Sequence, residues 1–269
     1  MTNLLLIGAG NMGYAMLSRW AKLEGLTCWV VDAAEPARMR AAQIGVAAFA
    51  DIAELPPIAF DVAILATKPQ GAVAAVSDHR AKLSASALLI SVAAGVTSQS
   101  ISAAAPGLAV IRAMPNTPAM IGAGMSVCYP TPLVSEAQKQ MAEHLLASVG
   151  LVEFVTDERL LDAVTAVSGS GPAYVFHFIE ALTRAGEAAG LEPGLALRLA
   201  KQTVLGAAEL AKQSDASPSD LRQMVTSPNG TTAAALSVLM REENGLAELM
   251  LAAVEKARAR SVELSAASA

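Results

Sequence analysis

The chain has 269 residues, of which 54% are hydrophobic but only 4% aromatic, and it carries a formal net charge of −5. That length accommodates two domains, or one large one, with a substantial core. No apolar run approaches the eighteen or so residues that span a bilayer, no basic n-region marks a signal peptide, and no basic cluster is large enough for nucleic acid. The expectation is a soluble, cytoplasmic protein without membrane or nucleic-acid partners. Cys28 and Cys128 share no metal or redox spacing and sit in apolar runs, so they read as buried free thiols, and no metal site is expected.

In chain order, the first apolar strand, Leu4-Leu5-Leu6-Ile7, runs straight into Gly8-Ala9-Gly10-Asn11-Met12-Gly13, and a helical stretch begins at Tyr14. Strand, G-x-G-x-x-G and helix in that order make a credible dinucleotide site. Gly8 permits the tight turn, Gly10 lets the backbone approach a pyrophosphate, and Gly13 lets helix and strand pack closely. The helix start, at Asn11 and Met12, offers free N–H groups to phosphate. A second strand over 28–31 ends at Asp32, nineteen residues after Gly13. An acid there accepts from the adenosine ribose hydroxyls and favours NAD; alternatively it caps the helix opening near Pro36. Arg38 and Arg40, just beyond, suit a 2′-phosphate.

Further strands are expected over 61–66, 87–92, 109–114, 125–129 and 151–155. Helices are expected over 36–43, 71–76, 97–105 and 135–149, the last opened by a Ser135–Gln138 capping box. Alternation of this kind argues a doubly wound, mostly parallel Rossmann sheet over residues 1–156. After that the strands stop. Helices are expected over 158–167, 172–189, 193–212, 218–225, 233–240 and 246–265, making 157–269 an all-α domain. Several of them, notably 174–182 and 195–210, are apolar on most of their circumference. Such helices must be buried, and a domain of that size cannot bury them all alone, so packing against a second copy is expected.

Segments at strand ends carry the candidate chemistry, because ligands of open α/β sheets bind at the carboxyl edge. Ala66-Thr67-Lys68-Pro69-Gln70 follows one strand; Lys68 either approaches the cofactor or is a surface lysine before a proline turn. Small residues at Ala93 and Ala94 would admit a nicotinamide ring. Asn116 could bond its carboxamide, or 115–118 is a rigid turn with room for a cis proline. In the helical half, Ser168-Gly169-Ser170-Gly171-Pro172 reads either as hydroxyls and N–H groups gathered at a helix start or as a close-packed turn. Thr226-Ser227-Pro228-Asn229-Gly230-Thr231-Thr232 is hydroxyl-rich, uncharged and opens a helix. It can bind a carboxylate through hydroxyls and N–H groups, or serve as a capped turn. His79, His144 and His177 lack a sequence-adjacent carboxylate that would mark an oriented base, and His177, on an apolar helix, reads as packed. A site rich in hydroxyls and poor in acids suits hydride transfer to a protonated imine better than to a ketone.

At these residues the chain resembles the pyrroline-5-carboxylate reductase family over nearly its whole length. The resemblance rests on 8–13, 66–70, 112–118, 162–174 and 221–239, and most specifically on Val225-Thr226-Ser227-Pro228-Asn229-Gly230-Thr231-Thr232. It implies reduction of the cyclic imine to L-proline with NADPH or NADH, in a cleft between domains, and an intertwined homodimer that many members gather into decamers. It implies that Ser227, Gly230, Thr231 and Thr232 meet the substrate carboxylate, that Thr232 reaches the ring nitrogen, that Val225 and Thr226 line the pocket, and that Glu158 lies near the substrate. NADP-using members often carry Ser, Asn or Arg where this chain has Asp32-Ala33-Ala34. Two rival readings share part of this pattern. Hydroxy-acid dehydrogenases, of the 3-hydroxy-acid or 6-phosphogluconate type, resemble one another in a lysine followed four residues later by asparagine. Here Lys201 is followed by Leu205. A non-catalytic nucleotide sensor would not need the 227–232 loop.

Overall fold

The computed structural model describes residues 1–267. By backbone packing the chain divides into two units, Met1–Ser170 together with the C-terminal stretch from Ala257, and Gly171–Lys256. Strands give way to helices near residue 156, as the sequence implies, but packing keeps the first short helix beyond that point with the sheet.

The first unit is built on β1 (Thr2–Ile7), β2 (Leu26–Val31), β3 (Ala47–Phe49), β4 (Phe60–Leu65), β5 (Leu83–Ser91), β6 (Ala109–Met114), β7 (Gly124–Pro130) and β8 (Gly150–Phe154). They form one sheet in the order β3-β2-β1-β4-β5-β6-β7-β8. All pairings are parallel except β6 with β7. β3 was not expected: Ala47-Ala48-Phe49 is too short to show a period, and only its pairing with β2 makes it a strand.

Strands of a doubly covered sheet read as continuous apolar runs, and β1 shows why. Leu4 and Leu6 enter one core with Met16, Leu17 and Trp20, while Leu5 and Ile7 enter the other with Phe60, Leu65 and Val76. Successive side chains point to opposite faces, so four consecutive apolar residues feed two cores. The first core is covered by α1 (Asn11–Trp20), α2 (Glu35–Gln43) and α5 (Glu136–Ala147); the second by α3 (Pro69–His79) and α4 (Ser98–Ala104). The Trp20 indole donates to the Leu145 carbonyl at 2.8 Å, tying α1 to α5. The capping box at Ser135 is formed, with Gln138 as its partner. Both cysteines are buried free thiols, and burial pushes each thiol up to about 12.

Three local expectations are corrected. Among the described residues there is no cis peptide bond; the turn at Thr117–Ile121 is a 3-10 turn entered from extended Asn116. The helix expected over 172–189 is present, with Pro172 in its first turn, but a π-turn leads into it from the preceding helix. α6 (Leu160–Val164) runs through a π-turn, Thr165–Gly169, into α7 (Gly171–Ala188), and the Ser170 N–H is already bonded to the Thr165 carbonyl at 2.8 Å. His177 is not packed within the chain. Its side chain is 73% exposed and its Nδ1 lies 3.1 Å from Glu180 Oε2, one turn along the helix.

The second unit holds α7, α8 (Pro193–Gln213), α9 (Pro218–Met224), α10 (Thr231–Leu239) and the start of α11 (Leu246–Ala267). Glu192 accepts from the Gly194 and Leu195 N–H groups, both at 2.8 Å, and caps α8. Ser217 and Asp220 box the start of α9. Within one chain these helices leave large apolar side chains in the open, Phe176 at 61% and Leu251 at 73% among them. The end of α11 belongs to the first unit, where Ser261 Oγ donates to Asp162 Oδ1 at 2.7 Å.

Candidate functional site

In a sheet of this order the crevice lies where the winding reverses, at the carboxyl ends of β1 and β4. Gly8 follows β1 there and Ala66 follows β4, with the Ala66 N–H bonded to the Ile7 carbonyl at 2.8 Å. The three glycines divide their work. Gly8 has φ +90°, and a Cβ on it would lie 2.8 Å from the Ala66 carbonyl oxygen. A Cβ on Gly13 would collide with the Gly8 carbonyl. A Cβ on Gly10 would meet nothing within 4 Å. Two glycines therefore serve packing inside the protein, and the third keeps open space in front of a helix start. α1 has Gly10 as its N-cap, no capping side chain and no acid in its first turn. Its first backbone bond runs from Tyr14 N to Gly10 O, so the N–H groups of Asn11, Met12 and Gly13 precede the ladder.

This helix start opens into a cleft of about 920 Å³. Asp32 stands in its wall but does not cap α2, whose N-cap is Ala34. Asp32 Oδ2 accepts from the Ala9 N–H at 2.6 Å and Oδ1 from the Ala34 N–H at 2.8 Å. The carboxylate thus braces the glycine loop and keeps lone pairs for a ligand hydroxyl. Arg38 is committed to the Asp32 and Ala33 carbonyls, at 2.8 and 2.7 Å. Arg40 lines the cleft, donates to the Ala9 carbonyl at 3.1 Å, and lies 5.0 Å from the centre of the Tyr14 ring. Thr67 and Lys68 also line the cleft; Lys68 is exposed and, with Pro69 after it, forms the extended entry to α3. Two buried polar atoms of cleft residues, Thr67 Oγ1 and His79 Nε2, have no hydrogen-bond partner. Open helix N–H groups, a braced carboxylate and unspent polar atoms form a donor and acceptor set that fits an anionic nucleotide.

The loop after β5 carries Ala93, which is buried, and Ala94, which is half-buried. Gly95 follows with φ +73°, and a Cβ there would meet Leu264 Cβ of α11 at 3.1 Å. Asn116 is spent within the fold. Its Nδ2 donates to the Ser168 carbonyl and hydroxyl at 3.3 and 3.2 Å, and its Oδ1 accepts from the Met125 N–H at 2.9 Å. Glu158 is held by three donors: the Ser98 N–H at 2.7 Å, the Ser98 hydroxyl at 2.5 Å and Arg112 Nη1 at 2.5 Å. Burial pushes its carboxyl up, but the Ser98 hydrogen bonds and the Arg112 guanidinium outweigh that and hold it below the ordinary value of 4.5. Ser98 and Arg112 carried no signal of this role in sequence, because the pairing joins residues 46 and 60 positions apart.

In the second unit the expected loop is present. Asn229 adopts φ +58°, the Gly230 N–H bonds to the Ser227 carbonyl at 3.0 Å, and a Cβ on Gly230 would collide with Ser227 Oγ. Gly230 is the N-cap of α10 and no side chain caps that helix. Its first backbone bond is from Ala234 N to Gly230 O, which leaves the N–H groups of Thr231, Thr232 and Ala233 ahead of the ladder. Thr226 donates back to the Arg222 carbonyl at 2.6 Å. Val225 is 64% exposed within the chain. An uncharged, uncapped helix start with adjacent hydroxyls is an arrangement that can take an anion.

A family model for pyrroline-5-carboxylate reductase dimerisation matches residues 158–264, and one for NADP oxidoreductase, coenzyme F420-dependent, matches 3–95. The chain is 40% identical to a pyrroline-5-carboxylate reductase of Pseudomonas aeruginosa over 96% of its own length and 95% of that protein's. The chain belongs to the pyrroline-5-carboxylate reductase family. It is similar at 35% identity to the pyrroline-5-carboxylate reductase of Escherichia coli, over 96% of this chain and 97% of that one. Among solved structures, a pyrroline-5-carboxylate reductase from Coxiella burnetii superposes with a TM-score of 0.90 at 36% identity, covering 98% of each chain. The Plasmodium falciparum pyrroline carboxylate reductase, solved with NADP bound, follows at 0.84 and 28%, again covering 98% of each chain. Pyrroline-5-carboxylate reductases are NAD(P)-dependent oxidoreductases, and this membership accounts for both halves of the chain.

Proposed function

We propose that the chain reduces 1-pyrroline-5-carboxylate to L-proline, the last step of proline biosynthesis, with NADPH or NADH as the reductant. Bound NAD(P)H would supply the hydride that adds to the carbon of the C=N bond. The observation that carries the assignment of roles is the uncapped start of α10, with Ser227, Thr231 and Thr232 beside it and no charged side chain in 226–232. The α10 N–H groups and the hydroxyls of Ser227 and Thr231 hold the substrate carboxylate, and Gly230 lets the loop close that tightly. Val225 and Thr226 border the ring. Thr232 Oγ1 meets the ring nitrogen as it changes from iminium to amine. The iminium already bears its proton and the carbon accepts hydride directly, so no acid is needed in the loop.

In the first unit, Gly10, Asn11, Met12 and Gly13 receive the pyrophosphate, and Asp32 the adenosine ribose. Ala66, Lys68 and Pro69 form the facing wall, and the backbone at Ala93 and Ala94 supports the nicotinamide. Glu158 and Asn116 act as positioning residues. Glu158 fixes the start of α4 to β6, and Asn116 fixes the end of β6 to the π-turn and β7. Catalysis is then mainly placement and exclusion of water. A homodimer through the exposed apolar helices, dimers gathered into a decamer, and residence in the cytoplasm complete the reading; the two buried thiols accord with a reducing compartment.

Thr232→Ala tests the assignment. Loss of a transition-state hydrogen bond worth about 1–3 kcal/mol lowers kcat/KM roughly five- to hundredfold with the thermal midpoint unmoved. Full activity would remove the loop from the active site.

A further inference from the structure

The cleft beside the glycine loop is lined by a cation to which the scheme above gives no role. Arg40 sits in the last turn of α2, and its guanidinium reaches back to the loop, where Nη2 donates to the Ala9 carbonyl at 3.1 Å. Its Cζ lies 5.0 Å from the centre of the Tyr14 ring, so an aromatic face on α1 helps to fix the head. Arg40 is half-buried and, among the described residues, belongs to no ion pair. Its Nε and Nη1 have no protein partner, and neither is sealed from solvent. A guanidinium stays charged and presents its donors as a planar fork that matches a phosphate. A cation held in place at a cleft wall and neutralised by no carboxylate suits an anionic ligand.

The position of that head says which anion. Ala9 lies between Gly8 and Gly10; Asp32 Oδ2 accepts from its N–H at 2.6 Å, and Arg40 donates to its carbonyl. Carboxylate and guanidinium therefore flank one residue without pairing with each other. The pyrophosphate has the open N–H groups of α1, and Asp32 suits the ribose hydroxyls. The anion that distinguishes NADPH from NADH hangs on that same ribose, as the 2′-phosphate. Arg38 does not compete for it, because its Nη1 is spent on the Asp32 and Ala33 carbonyls. We propose that Arg40 is the residue by which this chain holds the 2′-phosphate of NADPH, so that a site with an acid at the end of β2 still takes both cofactors: Asp32 serves the free ribose of NADH and Arg40 the phosphate of NADPH. The determinant then lies in the last turn of a helix that folds back on the glycine loop, not at the strand end itself. This rests on the placement of the adenosine ribose at Asp32 proposed above.

The test is direct binding, by calorimetry and with no substrate present, of NADPH and NADH to wild type, Arg40→Met and Arg40→Lys. Methionine keeps an unbranched stem and removes the charge. In Arg40→Met the NADPH:NADH affinity ratio falls about ten- to a hundredfold, the worth of a charge-assisted hydrogen bond, while NADH affinity changes by less than about threefold. Arg40→Lys, a point charge without the fork, keeps part of the wild-type ratio. The ratio is the readout because Arg40 also holds the Ala9 carbonyl. An arginine that only braced the loop would weaken both dinucleotides alike, and an unmoved ratio overturns the proposal. Asp32→Ala separates this from failure of the cleft assignment. If Asp32→Ala leaves NADH affinity unchanged, the ribose is not at Asp32 and the proposal falls with that placement; if it weakens NADH while Arg40→Met leaves the ratio intact, only the role of Arg40 falls. A reading on wild type covers the case in which the variants do not fold. In protein with 15N-labelled arginine, the Arg40 Nε resonance moves with adenosine 2′,5′-bisphosphate and stays in place with adenosine 5′-monophosphate. Equal movement with both, or none with the bisphosphate, overturns the proposal.

Discussion

Replacing Glu158 by alanine removes the acceptor of three hydrogen bonds at once, and the structure sets the size of the loss. The donors are the Ser98 N–H and hydroxyl and the Arg112 guanidinium, at 2.7, 2.5 and 2.5 Å. Hydrogen bonds to a charged group are worth about 1.5–3 kcal/mol each when buried, which would give roughly 5–9 kcal/mol. That is an upper bound, because the Glu158 side chain is 24% exposed and water can reach the vacated space. The Arg112 side chain, 11% exposed, is then left as an unpaired and nearly buried charge. Breaking one side of a buried pair costs about 3–5 kcal/mol. Weighing the partial exposure against the stranded arginine, Glu158→Ala should cost the sheet unit about 2–4 kcal/mol. For a unit of this size each kcal/mol moves the midpoint by about 2–4 °C, so the expected drop is roughly 4–16 °C. The assay is thermal unfolding of wild type, Glu158→Ala and Glu158→Gln at neutral pH, followed by the same series in acid. The native carboxyl is held below its ordinary value of 4.5. Its contribution is therefore complete above pH 4.5 and lost as pH falls through the lower native value. Wild type loses that stability in acid and Glu158→Gln does not, so the gap between them closes below pH 4.5. A loss under about 0.5 kcal/mol in Glu158→Ala, the scale of an ordinary surface substitution, would refute the reasoning.

Three further outcomes follow from the same structure. Ser227→Ala should raise KM more than it lowers kcat, because it loosens the carboxylate; steady-state kinetics with unchanged KM would count against that. Asp32→Ser should raise the NADPH:NADH ratio of kcat/KM by roughly five- to a hundredfold, the equivalent of about 1–3 kcal/mol of repulsion removed from a 2′-phosphate. An unmoved ratio would mean that Asp32 serves only the Ala9 and Ala34 N–H groups. Sedimentation at micromolar concentration should show no stable folded monomer, because Phe176 and its neighbours would otherwise stay in water; a well-folded monomer would contradict it.

The order of elements was legible in sequence where local chemistry is self-contained. Leu4-Leu5-Leu6-Ile7 followed by the glycine turn needs no distant partner to declare itself, and neither does the Ser135 box. β3 was not legible, because its three residues become a strand only by pairing with β2. The reversal at β7 was not legible either, since parallel and antiparallel edge strands share one apolar pattern. In the candidate site, what was legible from the chain is local geometry: the tight glycine turn before α1, the hydroxyl-rich loop ahead of α10, and Asp32 at a strand end. What escaped were pairings across the sheet. Asn116 offers the same carboxamide to a nicotinamide as to Ser168 and Met125, and only the folded chain shows it taken. Arg38 and Arg40 looked equivalent until one was found bonded to the β2 end and the other lining the cleft. His177 misled for a related reason: an apolar helical face marks burial, but its side chain is in the open within one chain.

The most direct test of the account is to add 1-pyrroline-5-carboxylate to the purified protein with NADPH or NADH and follow the absorbance of the reduced nicotinamide. The account predicts oxidation of one equivalent of cofactor for each L-proline formed, and a roughly five- to hundredfold lower kcat/KM in Thr232→Ala. A folded protein that binds the dinucleotide and oxidises neither form in the presence of the imine would contradict it.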